Sequence, residues 1–300
     1  MRHGDYCTGM LNKWIPETPL MVPRAAGNDP ESLVDSLLHI MQRAGDAILH
    51  HYASVASVEV HTKADQTPLT AADIASHEVV AEGLRQLTPD IPVLSEEAAI
   101  PPLNARQHWS SLWLVDPLDG TREFIDANDQ FCINIALIEN GRATMGMIHA
   151  PVQQKTYLGI VGQGAWRIEG EARTAISCRK MQKSPVLISS SRRFTPDMLA
   201  CEDGIRQHFG AVKRLSQGSA MKFCRVAEGE ADIYPCFGPT SEWDTAAGQA
   251  IVEAAGGSMT SLRFQPFLYN RRPTTLNGGF FLLADSDFDW RPILQAATTA

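Results

Sequence analysis

The spacing of apolar and polar residues divides the chain into two stretches that predict different kinds of structure. In the first stretch, apolar residues recur at helical spacing as far as Tyr52, and Asp29-Pro30-Glu31 supplies the cap, the proline and the acid typical of a helix start. Short apolar runs, which we interpret as strands, follow at residues 91–94, 112–115, 131–139, 142–149, 157–161 and 165–168. Asn140-Gly141 is a strong hairpin signal, so the last four runs predict an antiparallel sheet.

From about residue 184 the pattern changes to alternating strands and helices. Strands are predicted at residues 186–188, 212–215 and 231–234, and helices at residues 196–209, 219–228 and 240–250. We therefore expect an α/β protein made of an α+β N-terminal half, residues 29–183, and an α/β C-terminal half, residues 184–300. Residues 1–28 are expected to be a flexible extension, because proline, glycine and charged residues interrupt every apolar run there.

The candidate chemistry begins where the run 112–115 ends in two acids, Asp116 and Asp119. Pro117 is expected to stop this strand just after Asp116. Two carboxylates so close together repel unless a cation joins them, which suggests a hard divalent metal ion. Gly120-Thr121 is expected to open a helix whose first backbone N–H groups point at a nearby anion.

Plainer interpretations of the same residues exist. An Asp-Gly pair is often only a turn, and an Asp near a helix start is often only a cap. A calcium-binding EF-hand loop is excluded, because Pro117 and Leu118 separate the two acids and Ala127 occupies the closing position. A phosphatase that forms a phospho-aspartate on an Asp-x-Asp motif remains a weak alternative, since the spacing here is one residue too long.

Three other acidic segments also have a structural and a chemical interpretation. Thr70 and Asp73 form a capping box for a helix that continues to about Leu87, and Ser241 and Asp244 form a second one. Glu96-Glu97 follows the strand at 91–94, and such a pair usually lies on the surface. Capping does not account for Asp65, which lies in the polar loop before Thr70.

Charge and cysteine content narrow the class of protein. The net charge is −8 and no long basic run occurs, so nucleic-acid binding is not expected and an anionic substrate would need local cations. Six scattered cysteines without a Cys-x-x-Cys pair are typical of reduced thiols in a cytosol, and they indicate neither a disulfide framework nor a zinc site. Neither a signal peptide nor a transmembrane segment is expected from the sequence. A cytoplasmic location is therefore expected, and peripheral attachment to the inner membrane is left open.

Four segments together resemble the inositol monophosphatase superfamily of magnesium-dependent, lithium-sensitive phosphatases. The segments are Asp65, Glu96-Glu97, Asp116-Pro117-Leu118-Asp119-Gly120-Thr121 and Trp243-Asp244-Thr245-Ala246-Ala247-Gly248. Two signature segments in the right order are far more specific than a lone Asp-Gly-Thr. Within the superfamily, flanking segments such as 218–224 and 234–248 look most like the bacterial 3'(2'),5'-bisphosphate nucleotidases, and the resemblance covers about residues 32–285.

The resemblance implies a layered αβαβα sandwich with two or three Mg²⁺ ions bound between the halves. The implied metal ligands are Glu96, Asp116, the Leu118 carbonyl, Asp119 and Asp244. Glu96 and Thr121 would orient the attacking water, supported by Asp65 and Thr70. The implied substrate-binding residues are Glu96, Leu118, Asp119, Gly120, Thr121, Gly218, Ser219, Lys222 and Asp244.

The implied reaction is hydrolysis of the 3'-phosphate of adenosine 3',5'-bisphosphate, and of its sulfated form, 3'-phosphoadenylyl sulfate, in sulfur metabolism. Alternatives are an inositol or sugar phosphate phosphatase of the same superfamily and, in another class, a non-catalytic ligand-binding regulator. Cys236 stands where the nucleotidases usually carry arginine, which weakens the case for the nucleotide unless Arg192, Arg193 or Arg225 compensates. The expected partner is a nucleotide bisphosphate, and a homodimer is left open.

Overall fold

The computed structural model describes residues 30–53, 61–62, 68–189 and 195–294. The N-terminal elements are two helices with a two-stranded ribbon between them along the chain: α1 (Pro30–Tyr52), β1 (His61–Thr62), β2 (Pro68–Leu69) and α2 (Ala71–Leu87). The elements that follow build a seven-stranded sheet: β3 (Val93–Ser95), α3 (Leu103–Arg106), β4 (Ser111–Asp119), α4 (Thr121–Ile125), β5 (Cys132–Glu139), β6 (Arg142–Ala150), β7 (Lys155–Ile160), β8 (Gly164–Glu169) and β9 (Ala172–Ile176). Its strands lie in chain order, with β3 parallel to β4 and all other pairs antiparallel.

The remaining elements build a five-stranded sheet: β10 (Val186–Ser189), α5 (Pro196–Phe209), β11 (Lys213–Ser216), α6 (Met221–Ala227), β12 (Ile233–Cys236), α7 (Glu242–Ala254), β13 (Ser258–Ser261), β14 (Phe280–Leu283) and α8 (Arg291–Leu294). The strand order is β11-β10-β12-β14-β13. Strand β10 runs parallel to both β11 and β12, whereas β14 is antiparallel to both of its neighbours.

Three apolar cores stack these elements into five layers. Helices α1 and α2 bury residues such as Leu37 and Leu84 against one face of the large sheet. Helices α6 and α7 lie between the two sheets, where Phe223 and Ile251 belong to a second core. Helices α5 and α8 bury residues such as Ile205 against the outer face of the small sheet. The fold is therefore the α/β layered αβαβα sandwich that the sequence predicted.

Close packing of α7 on the large sheet depends on small residues. A Cβ atom added at Gly146 in β6 would lie 2.2 Å from the backbone oxygen of Ala247, and one added at Gly159 in β7 would lie 2.4 Å from Cα of Ile251. Since real Cβ atoms do not approach backbone atoms so closely, these positions leave no room for a side chain. The glycines therefore set how near α7 lies to the sheet.

The structure confirms most of the predicted elements and corrects one. The hairpin at Asn140-Gly141 is present, with both residues at positive φ, and α5 has the predicted bounds. The expectation that Pro117 ends its strand is wrong, because β4 continues through the proline to Asp119 with a shift of register against β5. Residues 1–28, which we expected to form an extension, lie outside the described part of the chain.

None of the helices that the structure describes combines the length and the apolar character that crossing a membrane would need.

Candidate active site

A β-bulge explains how β4 presents both of its acids at the same place. Asp116 pairs with Asn134 and Asp119 pairs with Cys132, so three steps along β4 match two steps along β5. Residues three apart on a regular strand face opposite sides of a sheet, and the extra residue of the bulge restores Asp119 to the side of Asp116. Pro117 fits here because a bulge leaves its position without a ladder hydrogen bond to donate.

Asp116 meets two acids from other elements. Carboxylate oxygens of Glu96, Asp116 and Asp244 all lie within 4.8 Å of one another. Glu96 follows β3, where its N–H donates to the Val115 carbonyl of β4, and Asp244 lies in the first turn of α7. Three converging carboxylates are the hard oxygen donors that Mg²⁺ or Ca²⁺ prefers. The donor set therefore fits a divalent cation.

The pKa values of these acids also indicate a site for a cation. Burial raises the pKa of Asp116 well above its usual range, and the charges of Glu96, Asp119 and Asp244 raise it further. Burial likewise raises the pKa of Asp244, with Asp119 as the next cause. Burial also raises the pKa of Asp119 to about 6, although Lys222 and the Ala220 N–H oppose the shift. A bound cation would relieve this repulsion and favour the charged carboxylates.

These acids line a cavity of about 460 Å³ together with most of the other predicted site residues. The predicted residues on its wall are Glu96, Asp116, Leu118, Asp119, Gly120, Thr121, Ser219, Lys222 and Asp244. Gly120 adopts φ of +95° and caps α4, and an added Cβ atom would lie 3.2 Å from the Gln130 oxygen. A side chain would be strained there, so a glycine is needed where the chain turns from β4 into α4.

Asp119 differs from the three clustered acids in its partners. Its Oδ2 accepts hydrogen bonds from the Ala220 N–H at 2.5 Å and from the Asn134 amide at 3.3 Å. The loop before α6 is thereby fixed against β4. Lys222, which is 8% exposed, donates to the Ser219 carbonyl at 2.6 Å and lies 5.4 Å from the ring centroid of Tyr234.

Asp73 is a site residue whose role the sequence interpretation missed. It forms the expected capping box, in which Thr70 donates to Asp73 Oδ2 through both its N–H, at 2.8 Å, and its hydroxyl, at 2.7 Å. Its other oxygen accepts a hydrogen bond of 3.3 Å from the hydroxyl of Thr121 on the cavity wall. This contact joins α2 to α4 and depends on tertiary packing, so the local capping signal did not reveal it.

Thr70 and Gly218 are predicted residues that the structure describes but that do not line the cavity. Thr70 is buried and reaches the site only through Asp73. Gly218 is held by the Gln130 side chain, which accepts its N–H at 2.7 Å. Asp65, Arg192 and Arg193 lie outside the described residues.

Of the three arginines that the sequence interpretation named, the structure describes Arg225. Arg225 pairs with Glu230 at 2.9 Å instead of lining the cavity, so it does not replace the missing arginine. Cys236 does line the cavity. Arg122 is a cationic residue of the wall that the sequence interpretation did not single out, although it directly follows Thr121.

The sequence matches the model of the Inositol monophosphatase family over residues 29–279. It is 46% identical over 248 residues to the 3'(2'),5'-bisphosphate nucleotidase CysQ of Salmonella typhimurium, an alignment that covers 83% of this chain and 98% of that protein.

The fold is also similar to solved structures of related proteins. The fold is similar to the crystal structure of CysQ from Bacteroides thetaiotaomicron, a bacterial member of the inositol monophosphatase family, with a TM-score of 0.71 and 33% identity over 85% of this chain and 98% of that one. It is also similar to the inositol monophosphatase from Anabaena (Nostoc) sp., with a TM-score of 0.67 and 28% identity over 89% and 95% of the two chains.

Proposed function

The chain belongs to the inositol monophosphatase family, and we propose that it is a magnesium-dependent 3'(2'),5'-bisphosphate nucleotidase. It hydrolyses the 3'-phosphate of adenosine 3',5'-bisphosphate to give AMP and phosphate, and it also accepts 3'-phosphoadenylyl sulfate. The observation that carries this proposal is the convergence of Glu96, Asp116 and Asp244 on one side of a cavity that Lys222 also lines.

The residues that would hold two or three Mg²⁺ ions are Glu96, Asp116, the Leu118 carbonyl, Asp119 and Asp244. Magnesium bound there would neutralise the charge of the phosphate and lower the pKa of a bound water. The carboxylates contribute the negative charge that would bind these ions.

Thr121 and Glu96 orient the attacking water on one side of the phosphate. Thr121 Oγ1 donates to Asp73 Oδ1, so a proton that the water gives to the threonine hydroxyl can be balanced by one passed to the Asp73 carboxylate. Thr70 holds Asp73 in place from the opposite side, and the resemblance adds Asp65 as a further supporting residue. Gly120 and Thr121 offer backbone N–H groups to the phosphate oxygens.

The leaving-group side is formed by Asp119, Asp244 and the segment that begins at Gly218 and Ser219. The positive charge of Lys222 opposes the rise in the pKa of both acids that burial causes, so the charge of the lysine acts on this side of the cavity. Together with Arg122 on the same wall, it provides the local positive charge that a substrate with a second phosphate needs.

The identity of the substrate is the part of the proposal for which a second candidate exists. Cys236 on the cavity wall has no positive charge, where the nucleotidases usually carry arginine, and this favours an inositol or sugar phosphate as the second candidate. A non-catalytic regulator is the less suitable alternative, because every metal-holding carboxylate named above is present.

A substrate panel tests the proposal. Phosphate release is measured with magnesium from adenosine 3',5'-bisphosphate, 3'-phosphoadenylyl sulfate, inositol 1-phosphate and fructose 1,6-bisphosphate, then repeated with added lithium. We expect kcat/KM to be highest for the two nucleotides, with inhibition by lithium. Asp119→Asn serves as the inactive control. Faster turnover of inositol 1-phosphate would contradict the assignment of the substrate, and full activity of Asp119→Asn would contradict the site.

A further inference from the structure

A fully buried arginine and a fully buried glutamate are joined through one asparagine, and none of the three lines the cavity. Arg106 at the end of α3 and Glu242 at the start of α7 are both 0% exposed. The Arg106 guanidinium donates to Asn270 Oδ1 at 2.5 Å and to the carbonyl of Arg272 at 2.7 Å. Asn270 in turn donates its N–H to Glu242 Oε2 at 2.8 Å. We call Arg106, Asn270 and Glu242 the buried clamp.

The segment that contains Asn270 makes further hydrogen bonds to the start of α7. Arg272 donates both to Glu242 Oε1, at 3.3 Å, and to Asn277 Oδ1, at 3.0 Å. The Asn277 amide then donates to the Ser241 carbonyl at 2.7 Å and to the Thr245 hydroxyl at 3.0 Å. The residues on both sides of Asp244 are therefore held by side chains from one segment, residues 270–277.

The position of the clamp relates it to the metal-holding acids. Arg106 lies in the connection between β3 and β4, ten residues after Glu96 and ten residues before Asp116. Glu242 lies two residues before Asp244. The clamp thus ties the element that supplies Asp244 to the connection between the other two acids, although none of its three residues lines the cavity.

Burial of these charged groups needs an explanation other than stability. Removing an arginine and a glutamate from water costs several kcal/mol per ion, and a well-packed apolar set of similar volume is often at least as stable. Hydrogen bonds to charged groups are, however, short and directional, so they fix the relative positions of the groups that they join. A clamp of this kind is suited to setting a distance.

We propose that the buried clamp is a positioning device for Asp244: it sets the separation of Asp244 from Glu96 and Asp116 and thereby the affinity of the site for its cation. The inference rests on the proposed function, since it takes these three acids to be metal ligands. Arg106, Asn270 and Glu242 are positioning residues, because they act on the cation only through Asp244.

Calorimetric titration of the metal-free protein with Mg²⁺ tests the clamp without relying on activity. Glu242→Gln keeps the size of the side chain but removes the charge that Arg272 and Asn270 bind. We expect its magnesium affinity to fall about tenfold, the lower end of the range for residues that orient metal ligands.

Asp232→Asn is the matched control. Asp232 is 1% exposed and, like Glu242, binds one arginine and one backbone N–H, here the Arg179 guanidinium and the N–H of Val186 at 2.6 Å. The same loss of charge should lower the thermal unfolding temperature of both variants. Only Glu242→Gln should lose magnesium affinity, so a general loss of stability is separated from positioning.

Equal magnesium affinity in wild type and Glu242→Gln would overturn the clamp, and so would an equal loss in Asp232→Asn. Should Glu242→Gln fail to fold, Arg272→Gln removes the contact to Glu242 from a partly exposed position and is expected to weaken magnesium binding in the same direction. Unchanged affinity in that variant would also overturn the clamp. Wild-type protein that binds no magnesium would instead contradict the proposed function itself.

Discussion

The hydroxyl of Thr121 donates a hydrogen bond of 3.3 Å to Asp73, a carboxylate that is 1% exposed and belongs to a different element. Asp73 also accepts two hydrogen bonds from Thr70 and thereby caps α2. One buried acid thus joins the start of a helix to a hydroxyl on the cavity wall. A substitution of Asp73 can therefore test whether this acid acts in catalysis as well as in capping.

Asp73→Asn is expected to lower kcat by about a hundredfold or more, because general-base assistance contributes about 10² to 10⁴ in rate and an amide cannot take the proton. KM and magnesium affinity should change little, since Asp73 does not line the cavity. Steady-state kinetics and calorimetry measure the three quantities. Asp285→Asn, which alters another acid that accepts backbone N–H groups, should keep full kcat. A kcat near wild type in Asp73→Asn would assign Asp73 to capping alone.

Lys222→Met should raise KM for adenosine 3',5'-bisphosphate about tenfold, because a charge-assisted hydrogen bond to a phosphate contributes roughly 1.5 to 3 kcal/mol. The effect should be smaller on adenosine 3'-monophosphate, which has no second phosphate to lose contact. Comparison of KM for the two substrates checks this. The control is Lys180→Met, which removes a surface lysine paired with Asp285 and Asp287. An equal rise of KM on both substrates would place Lys222 on the reacting phosphate instead.

We expect the Asp119→Asn variant to be more stable than wild type in the absence of metal, by an amount that grows as the pH rises. Burial raises the pKa of Asp119 to about 6, above that of an aspartate in an unfolded chain, about 4. The folded state then holds a proton that the unfolded state has lost, so this group lowers the free energy of unfolding as pH rises from about 4 to about 6. The effect is at most about 3 kcal/mol.

Chemical denaturation of metal-free wild type and Asp119→Asn between pH 4 and pH 8 measures that contribution. The advantage of the variant should grow up to about pH 6 and stay constant above it. Excess magnesium should reverse the order, since wild type binds the ion better. A difference between the two proteins that does not depend on pH would show that Asp119 does not titrate in this range.

Gly146→Ala is expected to destabilise the fold by roughly 1 to 3 kcal/mol or more, because its new methyl group would lie against the backbone oxygen of Ala247 in α7. Any shift of α7 also moves Asp244, so magnesium affinity should fall as well. Thermal unfolding and calorimetry follow the two effects. Gly278→Ala meets no atom within 4 Å and should behave as wild type. Unchanged stability of Gly146→Ala would mean that α7 can move away from the sheet freely.

Local sequence signals predicted the elements that have strong periodicity or caps. Asn140-Gly141 identified its hairpin, and both capping boxes identified helix starts. Strand β9 was not predicted, because it lies at the edge of the sheet and four of its five residues are exposed. Strand β13 was also missed, since Met259 is its one apolar residue, and so was β14, although its four residues are all apolar.

The site could be predicted only as far as the identity of its residues. The resemblance named Glu96, Asp116 and Asp244, yet no spacing in the sequence shows that residues so far apart meet within 4.8 Å. The strand prediction failed at Pro117 because a bulge depends on the neighbouring strand and not on local preference. The contact of Thr121 with Asp73 and the buried clamp depend likewise on packing between elements.

The three clustered acids come from the end of β3, from β4 and from the helix that separates the two sheets. An unfolded chain, or one in which only the large sheet had formed, would hold Glu96 and Asp116 without Asp244. Magnesium that binds all three acids therefore binds the completed fold alone, and mass action converts its concentration into added stability. For this protein, a rise of the unfolding temperature with magnesium concentration would show that Asp244 has been brought to Glu96 and Asp116.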